Sequence, residues 1–206
     1  MPKYTLHYFA GNGRAAIARA ILSFAKADWT NVLIKKEDWP KIKKSGLCEF
    51  EQVPVLEVDG KKYCESYAIN LYLADVFKLM GKDPEEDYQI RNVLFAFEDY
   101  MIPIGKAIFS PDESKKDELK KAAEEKLKFF VGKFEKKYVD LGKGKYFLGD
   151  KFTLADIALA TSLPSAIDTL GLKEFPWKEV APNLSELIKR VNENELKEFC
   201  EKFYIK

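Results

Sequence analysis

Hydrophobic positions follow two different periods along this chain. Over residues 3–9 apolar and polar side chains alternate, which is the period of a half-buried strand. Residues 14–26 then place Ile17, Ile21 and Phe24 on one helical stripe, and residues 30–34 return to a strand pattern. This order predicts a β-α-β unit at the start of the chain.

A second pair of strands follows. Residues 53–58 end at Asp59-Gly60, a dipeptide that favours a tight hairpin, and residues 61–64 are the expected returning strand. Ser66 then begins a helix. A β-α-β unit followed by β-β-α predicts an α+β, thioredoxin-like domain over residues 1–78, with a mixed four-stranded sheet and helices against it.

Beyond a linker at residues 78–86, the periodic segments are helical. The predicted helices cover residues 87–108, 113–138, 154–169, 184–192 and 195–203. Thr153 is placed to cap one of them, and Asp156, at its third position, can reach back to the N–H group of the cap. We therefore predict an all-α second domain over residues 86–206, and we interpret Thr153 and Asp156 as structural.

Composition and charge narrow the classes of function. The 206 residues include 34 Lys and Arg against 33 Asp and Glu, with the signs interspersed, so no strong field attracts nucleic acid or an anionic membrane. No apolar run approaches the roughly 20 residues of a membrane helix, and the N-terminus lacks a signal-peptide pattern. The three cysteines have no metal-ligand spacing. We expect a cytoplasmic protein with no metal, no nucleic-acid partner and no membrane attachment.

The first strand gives way to a helix at a chemically distinctive turn. Tyr8 ends the strand, and Gly13 and Arg14 belong to the turn. A phenol beside an arginine and the N–H groups of a helix start can donate a hydrogen bond to a thiolate or a carboxylate. A tyrosine at a strand end is also common packing, so this position alone does not decide the function.

Several segments together resemble the cytosolic glutathione S-transferases, and their sigma class in particular. They are MPKYTLHYF at residues 1–9, GRA at 13–15, DWP at 38–40, PVLEVDG at 54–60 and ES at 65–66. These segments occur in the family's order at almost the family's spacing, and the resemblance covers essentially the whole chain. It implies a glutathione transferase, with glutathione as co-substrate. The class also contains glutathione-dependent prostaglandin D synthases and lens crystallins with little activity.

The resemblance implies catalytic roles for two residues and a backbone role for two more. Tyr8 would donate a hydrogen bond to the sulfur of glutathione, and Arg14 would add positive potential, so that the thiolate attacks an electrophile. Pro54 would be cis, and Val53 would offer its N–H and C=O groups to the glutathione backbone. From the residues alone, a plain strand entry is the favoured interpretation of Val-Pro.

Other matched positions would hold the ends of glutathione. Ser66 would bind the γ-glutamyl carboxylate and Glu65 the ammonium group, while Trp39 and Lys43 would face the glycine carboxylate. Asp99 would reach across a homodimer interface to the partner's glutathione. A plain helix cap, a surface tryptophan and a solvated acid are the open alternatives for Ser66, Trp39 and Asp99.

One loop departs from the family pattern. Residues 45–52 are about two residues longer than expected, and Gln52 stands where relatives often have lysine. The acids Glu49 and Glu51 lie nearby. Losing a cation beside two acids predicts weaker glutathione binding.

An apolar co-substrate needs a pocket of apolar and small side chains. The candidate residues are Phe9, Asn12, Gly13, Tyr100, Met101, Ile104, Ala158 and Ser162, although the same residue types are ordinary core. The expected function is conjugation of glutathione to small apolar electrophiles, with peroxidase activity as an extension. The alternatives are a glutathione-dependent prostaglandin isomerase and a low-activity ligand-binding or structural member of the same fold.

Overall fold

The computed structural model describes residues 2–203, which form two units. The first unit combines residues 2–79 with residues 195–203, and the second is Met80–Asn194. Met1, which opens the first predicted segment, and residues 204–206, which close the second predicted domain, lie outside the described residues.

A mixed four-stranded sheet forms the centre of the first unit. Its elements are β1 (Tyr4–Tyr8), α1 (Ala16–Phe24), β2 (Trp29–Leu33), α2 (Trp39–Lys43), β3 (Val55–Val58), β4 (Lys61–Tyr63) and α3 (Ser66–Val76). The strands lie in the order β2-β1-β3-β4, with β1 parallel to β2 and antiparallel to β3, and with β3 antiparallel to β4. This topology confirms the predicted α+β, thioredoxin-like fold.

Several boundaries in this unit differ from the prediction. A 3-10 turn at Gly13–Ala15 precedes α1, so the α-helix begins two residues after Arg14. β3 begins at Val55, because Pro54 has no N–H group to donate to a strand partner. The sequence pattern does not predict α2, since five residues are too few to show a helical period.

The second unit is built from helices. They are α4 (Pro84–Phe109), α5 (Lys116–Asp140), α6 (Leu154–Thr169), α7 (Trp177–Val180) and α8 (Pro182–Glu193). The predicted cap of α6 is confirmed, because Asp156 accepts hydrogen bonds from the N–H group of Thr153 at 2.9 Å and from its hydroxyl at 3.0 Å. Asp156 also accepts from the N–H group of Phe147 at 2.7 Å, yet its burial raises its pKa to about 6.

The last described helix, α9 (Lys197–Phe203), packs with the first unit. The carbonyl of Phe203 accepts a hydrogen bond from the side chain of Asn12 at 3.1 Å, and its ring lies 5.9 Å from that of Trp29. Helix α9 and residues 2–79 therefore contribute to the same sheet-containing unit. Over residues 2–203, no helix combines the length and apolar character needed to cross a bilayer.

Candidate active site

The hydroxyl of Tyr8 lies at the start of the turn that leads into α1. The backbone N–H of Arg14 donates a hydrogen bond to this oxygen at 3.1 Å. Gly13 makes this approach possible: a Cβ atom on it would lie 2.6 Å from the Tyr8 oxygen, and its φ of +39° is one that side-chain-bearing residues rarely adopt. The phenol oxygen thus accepts one hydrogen bond while its own proton stays available to a ligand.

A fully buried arginine, Arg19, packs against the ring of Tyr8. Arg19 is 0% exposed, and it donates to the carbonyls of Phe9 and Gly11 at 2.9 and 2.6 Å and to the side chain of Asn31 at 3.2 Å. Its guanidinium carbon lies 5.6 Å from the centre of the Tyr8 ring. Arg19 therefore fixes the loop that follows β1.

Aromatic rings connect Tyr8 to α2. The ring of Phe9 lies 5.6 Å from that of Tyr8 and 5.5 Å from that of Trp39. At the other end of α2, the ammonium of Lys43 lies 3.7 Å from a carboxylate oxygen of Glu51. Lys43 was expected to bind the glycine carboxylate of glutathione. In this structure it is already paired with Glu51, an acid of the 45–52 loop.

The chain offers a free backbone segment just before β3. The peptide bond between Val53 and Pro54 is cis, as expected from the family resemblance. Within residues 2–203, the N–H and C=O groups of Val53 take part in no backbone hydrogen bond. Gln52 is exposed beside them. A peptide ligand can therefore pair with Val53 as an added strand would.

The helix start that follows β4 is a candidate anion site. Glu65 precedes α3 with φ +67° and ψ +110°, a backbone conformation that costs energy for a residue with a side chain. Ser66 is the first residue of α3 and is only 6% exposed. Because the first N–H groups of a helix have no partner inside it, this end of α3 favours a carboxylate.

Two comparisons with known proteins agree with this geometry. Residues 4–75 match the family described as the glutathione S-transferase N-terminal domain, and residues 98–202 match the glutathione S-transferase C-terminal domain. A curated relative, the probable glutathione S-transferase 7 of Caenorhabditis elegans, is 35% identical over 186 residues, which cover 85% of this chain and 87% of the relative. The chain belongs to the glutathione S-transferase family.

Solved structures support a sigma-like member of that family. Rat hPGDS complexed with a quinoline superposes with a TM-score of 0.85 at 26% identity, covering 99% of this chain and 98% of that one. The sigma class transferase of Fasciola hepatica gives a TM-score of 0.82 at 27% identity, covering 100% of this chain and 98% of that one. This chain is therefore a transferase enzyme that uses glutathione as co-substrate.

The candidate electrophile residues of the helical unit differ in exposure. In this transferase Tyr100, Ile104 and Ala158 are buried, and Tyr100 packs against the ring of Phe97 at 5.5 Å. Met101 and Ser162 are half-buried. In the first unit, Phe9 faces Trp39, whereas the side chain of Asn12 donates to α9.

The sequence patterns do not reveal Arg19 or its partner Asn31. The segment AIARAIL in α1 is apolar on every side, so this helix has no solvent face for a charged residue. The sequence did contain a signal for a buried arginine, because a lone arginine in a helix that is apolar on every side must be buried. Among the described residues, the transferase has no group of three or more His, Cys, Asp or Glu that could hold a metal ion.

Proposed function

We propose that this transferase ionises the thiol of glutathione with Tyr8 and transfers the sulfur to small apolar electrophiles. The observation that carries the proposal is the hydroxyl of Tyr8, held 3.1 Å from the N–H of Arg14 beside a glycine that leaves it accessible. A hydroxyl that accepts from an amide becomes a better donor to a thiolate.

The size of the required effect is modest. A free thiol has a pKa of about 8.5, and lowering it by about two units takes roughly 2.7 kcal/mol of preferential interaction with the thiolate. One hydrogen bond to a charged group contributes about 1.5–3 kcal/mol. A single donor at Tyr8, assisted by positive potential near Arg14, is therefore sufficient.

The substitution Tyr8→Phe tests the proposed role of Tyr8 in ionising the thiol. We expect turnover with a chromogenic aryl halide to fall by about 10- to 100-fold near neutral pH, with glutathione binding changed by about twofold at most. Tyr4→Phe is the matched control, because Tyr4 lies on the same face of β1 and packs against Phe77. Wild-type turnover in Tyr8→Phe removes Tyr8 from the mechanism.

The proposed glutathione contacts follow the backbone and charges of the first domain, residues 1–78. Val53 pairs with the cysteinyl backbone beside Pro54 and Gln52, and the start of α3 at Ser66 holds the γ-glutamyl carboxylate. Their support is the open backbone at Val53 and the buried position of Ser66. Glu65 takes the ammonium group.

Trp39 and Lys43 bind the glycine carboxylate of glutathione. The ion pair between Lys43 and Glu51 weakens that contact. A carboxylate ligand must compete with Glu51 for the same ammonium group. This competition supports the expectation of weak glutathione binding.

In the helical unit, Met80–Asn194, Met101 and Ser162 are the more accessible candidates for contact with the electrophile. The second candidate function is prostaglandin isomerisation, which the likeness to rat hPGDS favours. A panel of an aryl halide, a hydroperoxide and prostaglandin H separates conjugation, peroxidase and isomerase activity. Rates at background with all three substrates would favour a ligand-binding or structural role.

A homodimer is the proposed assembly, with Asp99 in its interface. Four exposed apolar residues of α4 lie seven positions apart, so they form one stripe along the helix, on which Asp99 also falls. They are Tyr88 (58% exposed), Phe95 (50%), Ile102 (45%) and Phe109 (80%). An exposed apolar stripe of this length is typical of an interface. Sedimentation velocity over a range of protein concentrations measures the assembly directly.

A further inference from the structure

The charge of Arg19 has no acidic partner. All of its hydrogen bonds go to neutral acceptors, namely two carbonyls of the loop after β1 and the side-chain oxygen of Asn31. Within residues 2–203, no Asp or Glu forms an ion pair with this arginine. A fully buried arginine usually has a carboxylate partner, because removing a guanidinium from water is costly.

Aromatic rings take the place of that carboxylate. The rings of Tyr8 and Phe203 each have their centre 5.6 Å from the guanidinium carbon of Arg19, within the range of cation–π attraction. Burial lowers the pKa of Arg19 and the interaction with Tyr8 raises it, and the guanidinium remains charged at any pH an enzyme meets. A permanent cation therefore faces the ring whose hydroxyl is the proposed thiolate donor.

Other charges around Arg19 are less able to act on this site. The exposed groups on α9 and at the ends of α1 and β2 include Lys26, Asp28, Lys197, Glu198, Glu201 and Lys202. Arg14, half-buried in the turn after Tyr8, keeps its own charge in every variant below. Glu198 and Lys26 lie 4.0 Å apart with both side chains more than 70% exposed, and burial keeps Cys200 neutral by raising its pKa to about 11. Water and salt screen exposed charges, whereas a buried charge acts through a low dielectric.

We propose that Arg19 is a positioning residue for thiolate formation, which fixes the loop after Tyr8 and favours the glutathione thiolate through its uncompensated buried charge. The inference rests on the proposed role of Tyr8. Arg19 touches no substrate and acts through the Tyr8 ring and through the carbonyls of Phe9 and Gly11. A nearby opposite charge stabilises an anion and lowers the pKa of the group that forms it.

Asn31→Asp tests the charge while Arg19 stays in place. The new carboxylate would occupy the position of the Asn31 oxygen, 3.2 Å from Nε of Arg19, and would neutralise the guanidinium. We expect the pKa of the bound glutathione thiol to rise by about 0.5 to 1 unit, measured by the ultraviolet absorbance of the thiolate and by the acid limb of kcat/KM. Below that pKa, kcat/KM falls by about three- to tenfold, and it recovers at high pH.

Thr30→Asp is the matched control, because it adds the same charge at an exposed neighbouring position of β2. It should leave the thiol pKa within about 0.2 units of wild type. Asn31→Asp should fold normally, since it gives a buried cation a partner. A purely structural Arg19 would tolerate this change with no shift in the pH profile.

Two direct variants complete the test. Arg19→Gln removes the charge and should raise the thiol pKa at least as far as Asn31→Asp, while Arg19→Lys keeps the charge and should shift it less. If Arg19→Gln does not fold, Asn31→Asp decides alone. The proposal is overturned if Asn31→Asp keeps the wild-type pH profile, or if it loses the same fraction of activity at every pH.

Tyr8→Phe, measured in parallel, separates this inference from the proposed function. Wild-type turnover in Tyr8→Phe overturns the role of Tyr8 and the inference with it. Low turnover in Tyr8→Phe, together with an unchanged pH profile in Asn31→Asp, overturns the role of Arg19 alone.

Discussion

Gly13→Ala should disable the enzyme by displacing the hydroxyl of Tyr8. The added Cβ would lie 2.6 Å from that oxygen, about 0.8 Å short of the 3.4 Å at which ordinary contacts begin. Since a misplacement of about 1 Å can cost about 100-fold in rate, we expect kcat to fall by about 10- to 100-fold. The positive φ of +39° adds a stability loss of about 1–2 kcal/mol.

Gly60→Ala is the control that isolates the collision. Gly60 also has a positive φ, +83°, but a Cβ there meets no atom within 4 Å. Both variants should lose similar stability in urea unfolding, while only Gly13→Ala loses turnover with an aryl halide. The reasoning is refuted if folded Gly13→Ala keeps kcat within about twofold of wild type, or if Gly60→Ala loses as much activity.

Two further predictions concern pH and salt. Because the pKa of Asp156 is about 6 when folded and about 3.9 when unfolded, its protonation stabilises the native state fully below about pH 4, and this stabilisation is lost as the pH rises through 6. The free energy of unfolding of wild type relative to Asp156→Asn should therefore rise by about 1 kcal/mol from pH 6 to pH 5, and a constant difference would contradict this. Glu51→Gln should free Lys43 and lower the KM for glutathione by about two- to fivefold at low ionic strength, with little effect at high salt. A KM unchanged at low salt would show that the pair does not limit binding.

Local features of this chain were predictable from sequence. The cap at Thr153 and Asp156 depends on residues three apart, and the hairpin at Asp59-Gly60 on two neighbours. The turn at Tyr8 follows from the end of one alternating strand. In each case the residues that determine the structure are close together in the sequence, so composition and spacing suffice.

Features that join distant segments were not predictable in this way. Arg19 of α1 donates a hydrogen bond to Asn31 of β2. Asn12 donates one to the carbonyl of Phe203, 191 positions further along the chain. Sequence periods show that a side chain is buried but not what it meets. The same limit applies to the pairing of Lys43 with Glu51, where the loop conformation decides which cation an acid reaches.

The packing of α9 has a consequence for synthesis of the protein on the ribosome. The first unit begins with β1 but is completed only when Phe203 reaches Trp29 and Asn12. At about 5–20 residues per second, roughly 6 to 25 s separate the emergence of residue 79 from that of residue 203. During this interval the whole of the second unit is made, while the surface that α9 will cover on α1 and Trp29 stays open. The sheet-containing unit is therefore completed only after the helical unit has been synthesised.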